Sequence, residues 1–191
     1  MNIARSESAA GGHDGMNRSE GNGVDAIGAS GRGQFVTFAI GDDQYGVDIM
    51  AVREIKGWSE ITHLPKQPEY VRGVLNLRGV MVPIIDLRCR FGQGLTEATP
   101  MHVVIIVQID ARLVGLLGDR VSDIVSVDGA QIQAVPRVAQ SSRIDFLAGL
   151  VTIEGAMIAL IDLCNLLTTQ GQELAAHSAI ETKSTSATKR N

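Results

Sequence analysis

Aromatic side chains are scarce in this 191-residue chain, seven in all, and that shortage removes the platforms on which single-stranded nucleic acid stacks. Net positive charge is missing as well. Seventeen Lys and Arg stand against 21 Asp and Glu, a formal charge of -4, which leaves no broad basic footprint for a phosphate backbone. Nucleic acid is therefore excluded as the expected partner. The two cysteines, Cys89 and Cys164, have neither a Cys-x-x-Cys spacing nor a histidine pair nearby, so no metal or redox motif is present. Both read as buried thiols of a reducing compartment. His13, His63, His102 and His177 are scattered, and no nucleophile elbow, phosphate loop or metal-ligand spacing occurs. Long uninterrupted apolar runs are lacking too. The most apolar window, residues 146 to 167, contains Glu154, Asp162 and two glycines, and reads as strands and a turn rather than a membrane span. The opening "MNIARSESAAGGHDG" has no apolar core of the kind a secretory signal needs, which points to the cytoplasm and to no direct membrane insertion.

What the chain does have is 45% hydrophobic residues and 20% charge, enough for one or two modest cores. Residues 1–33 are rich in Gly, Ser, Asn and Ala without helical or strand period, and are expected to be a disordered tail. Residues 169–191 form a second tail, partly helical at most. The folded unit is expected over 34–168. Its apolar segments are short, rich in Val and Ile, and punctuated by Gly, Asp and Pro. In "FVTFAI", Val36, Phe38 and Ile40 share one face and Phe35, Thr37 and Ala39 the other, with "GDDQYG" following as a hairpin turn. "QIDARLVG" is a second hairpin of the same type, with Asp110 and Ala111 near its tip.

The chain also repeats itself. "NLRGVMVPIIDL" at 76–87 returns as "TIEGAMIALIDL" at 152–163. Over the eighteen pairs from 70–87 against 146–163, six are identical, eight exchange one apolar residue for another and four differ in kind. "YGVDIMAVREI" at 45–55 matches "VGLLGDRVSDI" at 114–124 in a register of 69. Two related halves, about 34–95 and 100–168, predict a mainly β fold of two small five-stranded barrels.

Within the repeat, Pro68 can open a helical turn and Gly73 can close it, a design that Gly149 repeats in part. Gly79 and Gly155 mark strand-to-strand turns, and Leu75 and Leu77 share a face opposite Val74 and Asn76. Asp86 and Asp162 each precede a short helical pattern and read as N-caps, worth about 1 kcal/mol, rather than as paired catalytic carboxylates, which would want a polar cleft and a base. The four unlike pairs are Arg72 for Ala148, Asn76 for Thr152, Arg78 for Glu154 and Pro83 for Ala159. Only the first copy carries an Asn and Arg tip rich in donors, of the kind that anchors interfaces. Arg78 can instead pair with Glu54 across neighbouring strands, an exposed pair worth under about 1 kcal/mol, and the two roles are compatible. The chain reads as a binding module and not an enzyme.

"FVTFAIGDDQYGVDIMAVREIKGWSEITHLPKQPEYVRGVLNLRGVMVPIIDLRCRFG", "VVIIVQIDARLVGLLGDRVSDIVSV" and "LAGLVTIEGAMIALIDL" together resemble CheW, the family of chemotaxis coupling proteins, over about 35–168. The resemblance implies two SH3-like five-stranded barrels around a shared apolar core, and a scaffold without catalytic activity, cofactor or metal. It implies an adaptor that couples the cytoplasmic tips of methyl-accepting chemoreceptors to the regulatory domain of the histidine kinase CheA, in the cytoplasm at membrane-associated receptor arrays. Carried over by motif, the receptor contacts fall on Val52, Glu54, Gly73, Asn76, Leu77 and Arg78. Val52 and Leu77 would flank a groove for a helical tip while Arg78 and Glu54 set its register. A paralogue serving another chemosensory pathway, such as surface motility or biofilm control, would share the same fold and chemistry.

Overall fold

The computed structural model describes residues 31–109, 111–136 and 146–166. The expectations for most of the two tails, for Asp110, and for His13 and His177 fall outside them. Ten strands follow one another: β1 (Arg32–Ile40), β2 (Asp43–Asp48), β3 (Val52–Gly57), β4 (Val71–Leu77), β5 (Val80–Asp86), β6 (Val103–Ile109), β7 (Arg112–Gly118), β8 (Arg120–Asp128), β9 (Leu147–Ile153) and β10 (Ala156–Ile161). An α-helical turn, α1 (Leu87–Arg90), follows β5, a second covers residues 163–166 after β10, and 3-10 turns cover Ile49–Ala51 and Gly129–Gln131. The strands build two five-stranded sheets, ordered β8-β1-β2-β10-β9 and β3-β6-β7-β5-β4. Each is an SH3-like barrel.

These orders correct the division of the barrels into sequential halves at 34–95 and 100–168. Adding five to every strand number of the second sheet, and counting round past ten, reproduces the first. The halves are equivalent, but each lends its opening hairpin to the other. Half of the eight neighbour pairings (β1 with β8, β2 with β10, β3 with β6, β5 with β7) join one half to the other. The repeat was legible because both halves follow one plan. Their exchange was not, since a local pattern says which residues pair well and not which copy supplies the partner.

Burial shows what holds the exchange in place. Beyond their exposed starts, strands β1, β5, β6, β7 and β10 are covered on both faces and divide alternate residues between two cores. Leu75, Val82, Ile84, Val104, Ile106 and Leu117 fill one barrel, and Phe35, Val127, Val151, Ile158 and Leu160 the other. Between them lies a third and larger cluster, containing Val36, Phe38, Ile40, Ile85, Leu87, Ile105, Val107, Leu116 and Ile161. So the shared apolar core is drawn from both halves. Gly46 and Gly115 keep equivalent places in the two barrel cores, facing Leu160 and Ile84 across the two parallel strand pairs. A Cβ on Gly115 would stand 2.5 Å from the Ile84 Cδ1, which accounts for the glycine at both positions.

Two local expectations change. Gly73 and Gly149 close no helical turn. The turn opened by Pro68 ends at Val71, whose N–H donates to the Pro68 carbonyl at 2.9 Å, and both glycines lie inside strands, β4 and β9. They are glycine because another segment crosses there. A Cβ on Gly73 would run into the Thr62 carbonyl, and one on Gly149 would stand 2.5 Å from the Ile132 Cγ2. The thiols also differ from expectation, with Cys89 half-buried and Cys164 exposed. In the helical turn at 163–166 it is Leu163 and Leu166 that face inward.

Candidate functional site

The donor-rich tip sits on the β4–β5 hairpin. Leu77 pairs with Val80, leaving Arg78 and Gly79 as a two-residue turn at φ 51° and 90°. Two consecutive left-handed residues match the right-handed twist of the flanking strands, the geometry of a type I′ turn. Glu154 and Gly155 repeat it at 51° and 84°. The left-handed conformation costs a non-glycine residue about 1 kcal/mol, and since both copies bear that cost it belongs to the architecture. The side chains differ. Asn76 Oδ1 accepts a hydrogen bond from the Gly79 N–H at 2.7 Å, which ties the turn to its strand. Arg78 Nη2 lies 3.3 Å from Glu54 Oε2 on β3, with the two side chains 83% and 32% exposed. The ion pair exists, and its exposure keeps its contribution to stability small. What it does is hold a guanidinium above the surface between two strands.

Of the six carried-over residues, the structure brings Glu54, Asn76 and Arg78 together at this tip. Leu77 is half-buried and packs with Trp58, Ile61 and Leu113 against the core of its own barrel, whereas Val52 packs at the edge of the central cluster. Gly73 is buried and presents no side chain. Gly79, Gly155, Asp86 and Asp162 take the turn and cap positions expected of them. The Asp162 carboxylate accepts from the Asn165 N–H at 2.9 Å.

Asp86 does more than cap α1. It is fully buried, and its carboxylate accepts from the Cys89 N–H at 3.1 Å, the Thr96 N–H at 2.8 Å, the Thr96 hydroxyl at 2.7 Å and Arg72 Nη1 at 2.9 Å. Arg72 donates also to the Thr96 carbonyl at 2.6 Å. The register of β4 against β5 slips at Arg72, and that of β9 against β10 slips at Ala148. A bulge there re-aims the arginine toward the carboxylate. The change from Arg72 to Ala148 thus marks a buried ion pair present in one barrel and absent from the other, a role that no local pattern announces.

A second polar cluster fastens the connection between the halves. Asp119, where β7 meets β8, pairs with Arg88 of α1 at 2.5 Å and accepts from the Gly41 N–H at 2.7 Å, and His102 Nε2 lies 3.7 Å away. Burial alone would push the Asp119 carboxyl up, but the Gly41 N–H, the Arg88 ion pair and the His102 ring outweigh it, leaving the group below its ordinary 3.8. All seven aromatics lie in the described fold, and four of them (Phe38, Tyr45, Phe91, Phe146) form a chain with centroids 6.0, 4.8 and 4.5 Å apart. Burial, and then Asp43, pushes the Tyr45 hydroxyl up to about 12. Among the described residues no group of three or more His, Cys, Asp or Glu is placed to hold a metal ion, and no helix is long and apolar enough to cross a membrane.

Comparison with known proteins follows the same lines. Residues 34–173 match the family model of the CheW-like domain. The chemotaxis protein CheW of Rhizobium meliloti (strain 1021) is 43% identical over 142 residues, covering 74% of this chain and 92% of its own. That of Klebsiella aerogenes is 37% identical over 146 residues, covering 76% and 88%. Among solved structures, the scaffolding protein TtCheW from Thermoanaerobacter tengcongensis superposes with a TM-score of 0.65 at 33% identity, covering 71% of this chain and 87% of that one. With the interleaved barrels, the paired hairpins and these relatives in agreement, the chain belongs to the CheW-like family of chemotaxis scaffold proteins.

Proposed function

We propose that this protein is a non-catalytic adaptor that links the cytoplasmic tips of chemoreceptors to the histidine kinase CheA, working in the cytoplasm at membrane-associated receptor arrays. The observation that carries the reading is the asymmetry of the repeat. Both barrels have the same hairpin, and only the first arms it with Asn76 and an Arg78 guanidinium steadied by Glu54. Such a tip suits a helical partner that offers acceptors beside an apolar face. Val52, Glu54, Gly73, Asn76, Leu77 and Arg78 are the proposed receptor-binding set, with Gly73 acting only by letting β4 pass close to Thr62. The absence of catalysis is supported by Asp86, whose carboxylate is consumed by four protein donors. Contacts of this size need be only micromolar, about -8 kcal/mol, because a lattice of them is stabilised by multivalency.

Co-sedimentation with receptor-containing membranes tests the site. Arg78→Ala is expected to weaken binding about tenfold, or about 1.4 kcal/mol, with Tm moved by no more than a few degrees. Exchanging the charges, Glu54→Arg with Arg78→Glu, rebuilds the ion pair without the guanidinium in its place. If the exchange restores full binding, Arg78 serves its neighbour and not the receptor.

A further inference from the structure

All four methionines among the described residues are exposed: Met50, Met81, Met101 and Met157 stand 61 to 83% open to solvent. The described cores are built of Val, Ile, Leu and aromatic residues instead. Methionine is a flexible and polarisable filler, and its use on surfaces is a mark of adaptable docking. One of the four adjoins the candidate site. Met81 lies directly opposite Asn76 in the β4–β5 ladder, and residues opposite each other in an antiparallel pair project from the same face. Val80, half exposed, precedes it across the turn from Leu77. The tip therefore presents a thioether beside the Asn76 and Arg78 donors.

We infer that Met81 is a contact residue of the proposed receptor-binding surface and a redox-sensitive one, whose oxidation to the sulfoxide weakens docking without unfolding the protein. This rests on the receptor-binding reading given above. The reaction is a two-electron oxygen transfer from a peroxide. The sulfur lone pair attacks one peroxide oxygen and the O–O bond breaks. For hydrogen peroxide the other oxygen leaves as water after proton transfer, so sulfur is oxidised and peroxide reduced. An apolar thioether becomes a polar, chiral sulfoxide that a reductase can reverse. Since Met81 is 61% exposed, no core is disturbed.

The repeat supplies an internal control. Met157 occupies the matching place in the second barrel, opposite Thr152 and equally exposed, beside a tip that bears Glu154 instead of Arg78. The full chain and its Met81→Leu and Met157→Leu variants would each be treated with dilute hydrogen peroxide. Sulfoxide at each methionine would be quantified by peptide mass spectrometry, and binding to receptor-containing membranes compared before and after treatment within each variant. Treatment is expected to reduce binding about tenfold in the unsubstituted chain and in Met157→Leu, with methionine sulfoxide reductase restoring it. The ratio should stay near unity in Met81→Leu. Unchanged binding by a chain fully oxidised at Met81, or an equal loss in Met81→Leu, overturns the inference and leaves the receptor-binding reading standing. No membrane binding by the untreated chain overturns both.

Discussion

Asp86 and Asp162 are the same residue in the two copies of one motif, and replacing each by asparagine separates a simple cap from a buried hub. An asparagine at 86 keeps the Oδ1 that serves the Cys89 N–H and the Thr96 hydroxyl. In place of Oδ2 it puts an amide NH2 against two donors, the Thr96 N–H and Arg72 Nη1. Both lose that oxygen, Arg72 Nη1 keeping only the Thr96 carbonyl, and Arg72, with only 19% of its side chain exposed, becomes an uncompensated charge. Breaking a buried pair costs about 3 to 5 kcal/mol. Partial exposure of Arg72 places the expected loss near the lower end, about 3 kcal/mol, or roughly 10 °C in Tm for a domain of this size. Asp162 is only partly buried, its cap bond to Asn165 N–H needs one oxygen, and Asp162→Asn should cost at most about 1 kcal/mol. Urea denaturation followed by circular dichroism measures both. Equal losses in the two variants would refute the hub and return Asp86 to a cap alone.

The other predictions concern the interleaving, packing and charge. A fragment of residues 31–97 keeps only the β1–β2 and β4–β5 hairpins of its strand pairings, so it should fail to fold as a monomer by circular dichroism and amide exchange; cooperative unfolding of the isolated monomer would contradict the exchange of hairpins. Gly115→Ala should destabilise by about 1 to 3 kcal/mol, since overpacking a filled core costs that much. Gly46→Ala should cost less, because its Cβ meets Leu160 Cδ2 at 3.0 Å where that of Gly115 meets Ile84 Cδ1 at 2.5 Å; the reverse order in chemical denaturation would count against the packing described. Asp119 has its folded pKa depressed below 3.8, so its contribution is complete above that value and is lost as pH falls through the lower folded one. Asp119→Asn should therefore flatten the acid limb of the denaturation midpoint below about pH 4, and parallel limbs in variant and parent would rule that out. Tyr45 is raised to about 12, so the stability it contributes is complete below pH 10 and is lost as pH rises toward 12. Absorbance titration should show a late phenolic step that disappears in Tyr45→Phe, and its persistence in that variant would assign the step elsewhere.

Local chemistry was legible in the sequence wherever one residue type could answer one backbone need. Gly79 and Gly155 declared their turns, Asp86 and Asp162 their caps, and the paired hairpins their short strands. The Arg78–Glu54 pair was foreseeable because the repeat isolates Arg78 as a departure from the plan. Three features were not legible, and for one reason: each depends on a partner distant in the chain. Gly73 reads as a turn residue until Thr62 is seen crossing it. Arg72 reads only as a departure from the repeat until the bulge in β4 turns it to Asp86 and to Thr96, a connecting residue with no motif of its own. The hairpin exchange requires β1 to choose β8 and β6 to choose β3, and both choices bury the same kinds of residue. Exposure of Met81 followed from no pattern, since methionine suits a core as well as a surface.

The adaptor account meets its most direct test in a reconstituted system of purified CheA, receptor-containing membranes and this protein, with kinase autophosphorylation as the readout. The account predicts that autophosphorylation rises when the protein is added to kinase and membranes together, and that Arg78→Ala gives a smaller rise. Autophosphorylation unchanged by addition of the folded protein would contradict it.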